Sequence, residues 1–296
     1  MLHALDDPDV PAVTRIAHST TWPRPRVGVF AAVHGNERCG LPVIERLRTE
    51  ARAGRLDLRG GTLVLVHGNP EATRQDRRFT EGGVDLNRLF DFRFLLDLPE
   101  RRWVSEHRRA AALRPVLEDL DVLLDIHSAT RPTPPFAIVN EIPDALRLAK
   151  RLGFPYATLG WESPGLRMNR VTIGAMGRRE RPGISVECGQ HADPEAPRRA
   201  ELCTLNLLRA LELLDGTPAD DRNVRVLQVA EVVARPSLGF RFTRPVVGLD
   251  RFEAGEVLAR DRLTELRLRE PCFVLMPNDG VPVGEDMAFL ARPLSG

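Results

Sequence analysis

The chain has 296 residues, 43% of them apolar and 28% charged, with a formal net charge of +1. That length allows one large domain, or a large and a small one, around a sizeable core. The near-neutral balance argues against nucleic acid or a membrane surface as the main partner, and no stretch approaches the roughly 18 apolar residues of a membrane span.

The opening MLHALDDPDVP holds acids and prolines where a secretory signal would have a basic start and an apolar run. Residues 26–33 (RVGVFAAV) read as a buried strand. A helix is expected over 37–53, with Leu41, Ile44 and Leu47 on one face. Residues 62–67 (TLVLVH) form a second strand, closed by a Gly-Asn-Pro turn at 68–70. Residues 101–120 are expected to be helical, with Trp103, Ala110, Leu113 and Leu117 inward. Strands at 121–127 (DVLLDIH), 136–140 and 183–187 and a helix at 143–151 continue the alternation. A long helix over 194–214 carries Leu202, Leu207, Leu211 and Leu214.

Strands alternating with helices imply an α/β fold: a mostly parallel mixed sheet flanked by helices. The strands are continuous apolar runs, as expected when both faces of the sheet are covered. After DGTPADDRN (215–223) the pattern changes, and 224–234, 241–247 and 272–276 look like strands separated by Gly and Pro turns. A catalytic domain over 1–216 and a small β-rich C-terminal domain over 217–296 are therefore expected.

Cys39, Cys188, Cys203 and Cys272 are scattered without CxxC spacing. They suit reduced thiols in a cytoplasmic protein better than a disulfide framework or a thiolate zinc site. Basic charge is almost all arginine, with Lys150 the only lysine, so guanidinium forks that fit carboxylates are plentiful.

Chemistry concentrates in three blocks, each ending an apolar run: His34 and Glu37 in VHGNE, His127 in LLDIHS and Glu187 in ISVECG. Two imidazoles and a carboxylate are a hydrolytic zinc set, and a further carboxylate is what such a site needs to activate water. Taken singly, each has a structural reading. A histidine after a strand is usually a hydrogen-bonded turn or core residue, as expected for His18 and His67, and a lone acid in an apolar run is often salt-bridged. Taken together, at successive strand ends where an open parallel sheet places its ligand crevice, they indicate one zinc ion per chain. A further signal is VDLNRLF, with Asp85, Asn87 and Arg88. Arg88, with Asn87 beside it, suits bidentate capture of a substrate carboxylate. Ahead of it, in a loop containing Gly82 and Gly83, Arg77 or Arg78 could stabilise an oxyanion.

HGNE, DLNR, DIHS and VECG, in that order, resemble the succinylglutamate desuccinylase and aspartoacylase family, whose catalytic domain is similar to the zinc carboxypeptidases. The resemblance covers about 26–214. It implies His34, Glu37 and His127 as zinc ligands, Glu187 as general base and proton shuttle, and Asn87 and Arg88 as binders of the substrate carboxylate. It implies Arg78 as the carbonyl polariser, although the loop from this arginine to DLNR looks longer than the family's. It also implies that the C-terminal β domain narrows the cleft to admit small N-acyl amino acids. Homo-oligomers are common in such a family, but no residue pattern here specifies one. Arg167 and Arg170, in GLRMNR, offer a second carboxylate contact or an ordinary surface loop. The only tyrosine, Tyr156, matches none of the family's substrate-binding tyrosines.

Three other readings compete: a zinc carboxypeptidase acting on short peptides, a cysteine hydrolase built on Cys188 and His191, and a non-enzymatic metal-binding protein. The second is weakened by a spacing of only three residues, and the third by a water-activating glutamate it would not need.

Overall fold

In the computed structural model, which describes residues 2–162 and 170–294, a twelve-stranded mixed sheet runs through the molecule. The strands in chain order are β1 His3–Asp6, β2 Val13–Ala17, β3 Arg26–Ala31, β4 Thr62–His67, β5 Val122–Ala129, β6 Phe136–Val139, β7 Tyr156–Leu159, β8 Gly183–Gln190 and β9 Arg225–Ala234, then β10 Arg241–Phe242, β11 Asp250–Phe252, β12 Val257–Arg260, β13 Glu265–Arg267, β14 Cys272–Leu275 and β15 Asp286–Pro293. The helices are α1 Leu41–Arg52, α2 Pro70–Arg74, α3 Phe94–Asp97, α4 Ser105–Asp119, α5 Pro143–Ala149, α6 Thr172–Gly177 and α7 Ala196–Ala210.

The order across the large sheet is β1-β2-β4-β3-β5-β8-β6-β7-β9-β15-β14-β11. The centre, β4-β3-β5-β8, is parallel, while β6 runs antiparallel to β8. Alternate residues of the central strands enter opposite cores, as the two-residue period of a strand requires. Val27, Val29, Leu63, Leu65, Leu124 and Ile126 pack with α1, α5 and α7. Phe30, Val64, Val66 and Leu123 pack against α4 and α6 on the other face.

Several boundaries differ from expectation. Glu37 precedes a 3-10 turn, Arg38–Gly40, and the α-helix starts only at Leu41, with Pro42 in its first turn. Gly-Asn-Pro opens α2 rather than closing a turn: Asn69 Oδ1 accepts from the Ala72 N–H at 3.1 Å, and Pro70 supplies the preset first position. Trp103 lies outside α4 and is half-buried. Leu202 points outward at 46% exposure, because the buried stripe of α7 runs through Ala200, Cys203, Leu207 and Leu208. From Arg225 onward the elements are strands, and β9, β15, β14 and β11 extend the large sheet while β10, β12 and β13 form a small second one.

Candidate active site

Side chains from three parallel strand ends and one loop meet at the carboxyl edge of the sheet. The chain leaves β3 through Ala32, whose positive φ of 54° turns it sharply toward His34 and Glu37. Gly35 has to be glycine: a Cβ there would lie 2.3 Å from the Ala72 backbone.

Glu37 is the hub. His34 Nδ1 lies 2.8 Å from its Oε1 and His127 Nδ1 lies 2.8 Å from its Oε2. The backbone N–H of Ser128 donates to Oε2 at 3.2 Å. All three side chains are buried, and their ligand atoms lie within 4.8 Å of one another, close enough to share a single metal ion. The far nitrogen of each imidazole faces a second carboxylate: His34 Nε2 is 3.1 Å from Asp85 Oδ1, and His127 Nε2 is 2.9 Å from Asp125 Oδ2. Histidines that bind a metal through one nitrogen are commonly oriented in this way through the other. Burial alone would raise the Glu37 carboxyl, but His34 and His127 hold it well below the ordinary range. Burial would likewise lower His127, but Asp125 and Glu37 hold it well above its ordinary value. Two clustered imidazoles around a buried carboxylate fit a divalent cation.

Glu187 is the partner of His127 across the β5–β8 pair and is buried. Its Oε2 has no protein hydrogen-bond partner among the described residues. Burial, then the Glu37 charge, push its carboxyl up to about 8, while His127 pulls the other way.

Asp85 joins this cluster to the arginine loop. Its Oδ2 accepts from Arg78 Nε and Nη2 at 3.1 and 2.9 Å, and its Oδ1 accepts from the Asn87 N–H at 2.8 Å. Arg78 Nη1 also donates to Glu37 Oε1 at 3.4 Å, yet the side chain is 42% exposed. Arg77 instead pairs with Glu81 at 3.8 Å and makes no such contact with the cluster. Asn87 is buried, and its Oδ1 accepts from the Thr172 N–H at 3.1 Å. Arg88 is exposed, and its Nη1 donates to the Asn87 carbonyl at 2.9 Å. Arg167 lies outside the described residues.

Two residues in and around the cluster, Asp125 and Glu106, are not marked as functional by the sequence. Asp125 stands two residues before His127 and so shares its face of β5, a signal that was available. Glu106 supports the arginine loop from α4, and nothing local in the sequence marks it. His191 Nδ1 lies 2.9 Å from Ser128 Oγ and its Nε2 3.4 Å from Thr130 Oγ1. Its ring therefore serves these hydroxyls. Cys188 is fully buried, with its thiol pushed well above the ordinary range by burial, then by Cys203 and Cys39. A cysteine nucleophile needs the opposite environment. Tyr156 packs its ring 6.3 Å from Phe273, with Arg225 above it.

Comparison with known proteins places the chain in a family. The profile of the succinylglutamate desuccinylase/aspartoacylase catalytic domain matches residues 23–211. A succinylglutamate desuccinylase of Yersinia pestis is 26% identical over 278 residues, covering 87% of this chain and 81% of its own. One from Pseudomonas aeruginosa is 29% identical, covering 78% and 72%. The crystal structure of succinylglutamate desuccinylase from Vibrio cholerae superposes with a TM-score of 0.75 at 18% identity, over 99% of this chain and 90% of that one. An aspartoacylase family protein from Mesorhizobium loti gives 0.68 at 22% identity, over 100% and 99%. No helix among the described residues is long and apolar enough to cross a membrane. With its family profile matched across the whole central sheet, the chain belongs to the succinylglutamate desuccinylase/aspartoacylase family, hydrolases that remove acyl groups from N-acyl amino acids.

Proposed function

We propose that this chain is a zinc-dependent amidohydrolase that cleaves the amide bond of a small N-acyl amino acid carrying a free carboxylate, such as an N-acyl aspartate or glutamate. The observation that supports it most is the Glu37 carboxylate, faced on both oxygens by imidazole Nδ1 atoms whose far nitrogens face carboxylates. His34, Glu37 and His127 would hold the ion. Bound there, zinc would supply Lewis acidity that activates water near neutral pH and polarises the amide carbonyl.

Glu187 accepts the proton of the attacking water and returns it to the leaving amine. A carboxyl raised by burial is suited to carrying that proton, and a cation nearby would draw its pKa back toward neutrality. Arg78 is held by Asp85 and Glu37 while remaining part-exposed, so it can meet the developing oxyanion without moving far. Asn87 and Arg88 take the free carboxylate and so orient the scissile bond.

Residues from about 217 act as a β-rich unit, joined to the rest through the β7–β9 pair, that narrows the cleft. In support, the Gly248 N–H donates to the Pro132 carbonyl at 2.9 Å, and Asp279 lies 3.8 Å from Arg131, both on the loop that leaves β5 after His127. All four cysteines are free and buried, which suits a reducing, cytoplasmic setting.

Metal analysis of the purified protein, joined to a hydrolysis screen, tests this reading. The screen spans acetyl, succinyl and longer acyl groups on aspartate, glutamate and neutral amino acids, with tripeptides alongside. Deacylation of an acidic N-acyl amino acid that stops with a chelator is expected. Turnover of tripeptides alone would replace it with a carboxypeptidase.

A further inference from the structure

We propose that Thr172 is a positioning residue that ties the metal-binding half of the site to the carboxylate-binding half, through its hydroxyl to Asp125 and its backbone N–H to Asn87. The proposal rests on the roles given above to His127 and Asn87. Thr172 is the first residue of α6 and has no exposed surface. Its hydroxyl donates to Asp125 Oδ2 at 2.5 Å, and the same oxygen lies 2.9 Å from His127 Nε2. Its N–H donates to Asn87 Oδ1 at 3.1 Å. Asp125 is fully buried and its Oδ1 has no hydrogen-bond partner among the described residues, so its orientation depends on what Oδ2 meets.

Each contact settles a choice the neighbouring group would otherwise have. A threonine hydroxyl has one proton, and giving it to Asp125 holds that carboxylate against His127 Nε2. The charge of that carboxylate, at ion-pair distance, favours a proton on Nε2, so that Nδ1 is the nitrogen left to give its lone pair to an ion shared with Glu37. An asparagine amide has an accepting end and a donating end. With Oδ1 taken by the Thr172 N–H, the Nδ2 protons remain as donors for a carboxylate. Without that tie the amide can flip and offer its oxygen to an anion, which repels it.

The two arms separate by substitution. Thr172→Val keeps the branched shape and the N–H but deletes the hydroxyl, whereas Thr172→Ser keeps both donors. Zinc affinity, read by chelator competition, is expected to weaken by roughly tenfold or more in Thr172→Val and to return to the parent value in Thr172→Ser. Equal zinc affinity in the parent and Thr172→Val overturns the hydroxyl arm. Thr172→Pro removes the N–H as well. Proline is accepted at a first helical position, and Val171, at φ −89° and ψ 170°, already has the extended backbone that proline asks of its predecessor. KM for the N-acyl amino acid is expected to rise roughly tenfold further in Thr172→Pro than in Thr172→Val. Equal KM values overturn the amide arm. If the proline variant does not fold, the valine and serine comparison decides the hydroxyl arm, without which there is no tie between the two halves. A parent that binds no zinc, or an Asn87→Ala variant with an unchanged KM, would instead strike the underlying functional reading.

Discussion

Thr80 gives both its backbone N–H and its hydroxyl to the carboxylate of Glu106, at 2.8 and 3.1 Å, where Glu106 has no exposed surface. Asn69 Nδ2 and the Val84 N–H complete the set at 3.2 and 3.3 Å, so four donors converge on two buried oxygens. The loop they hold joins Arg78 to Asp85. Gly83 fits only because it lacks a side chain: a Cβ would lie 2.3 Å from Glu106 Oε2. Glu106→Gln replaces one acceptor with a donor that faces N–H groups. A loss of about 1–3 kcal/mol in urea unfolding is expected, the cost of buried donors left unmatched. The same variant should lose kcat/KM, because Arg78 and the DLNR turn are no longer held in register. Unchanged stability and turnover would show that the loop keeps its shape without Glu106.

Glu187→Gln removes the carboxyl proposed to carry the proton while preserving volume next to His34, Glu37 and His127. Turnover should fall about 10²–10⁴-fold, the range for a general acid–base group, while metal content stays at the parent level. Metal analysis and single-turnover rates on the same preparation give the answer. Loss of metal together with activity would mean that Glu187 supports the cluster instead of moving protons.

Asp85→Asn tests the opposite kind of role. Asp85 touches His34 through one oxygen and Arg78 through the other. Removing its charge should weaken zinc binding by roughly 10–100-fold, the usual effect of losing an orienting partner of a ligand histidine. Zinc retained through dialysis against a competing chelator, at the parent's level, would rule that out. Arg88→Lys keeps the charge and loses the fork, so it should raise KM for an N-acyl amino acid while leaving zinc affinity untouched. A parental KM would place the carboxylate elsewhere.

The strand ends and the four residues His34, Glu37, His127 and Glu187 were readable because each follows or ends an apolar run, and such runs have one way to sit in a covered parallel sheet. The choice between Arg77 and Arg78 was not readable. It depends on Asp85, seven residues past Arg78, and on Glu106, whose hydrogen bonds cross 22 to 37 residues of sequence. β1 is not legible because it is a short edge strand with half its residues exposed, and its pattern is neither alternating nor continuous. The small helix α6 is not legible either. It holds two glycines in six residues, poor helix formers whose place is decided by packing against β5 and β8.

His67 was expected to be a hydrogen-bonded residue of no catalytic use, and its Nε2 lies 2.9 Å from Thr73 Oγ1. Burial, then the positive charges of Arg109, Arg48, Arg74 and Arg38, lower its pKa from 6.5 to about 4. Between these values the unfolded chain binds a proton that the folded protein does not, so stability rises with pH there. The contribution is fully present above the unfolded value and is lost as pH falls toward about 4. Full conversion of the shift would be about 3 kcal/mol, and solvent screening of a part-exposed ring reduces this to about 1–2 kcal/mol. Glutamine at this position can keep a polar contact with Thr73 but does not titrate. The stability of the parent relative to His67→Gln, from urea unfolding, should therefore fall by that amount between about pH 7 and about pH 4. A difference that stays constant across this range would mean that His67 accepts its proton as readily in the fold as in the unfolded chain.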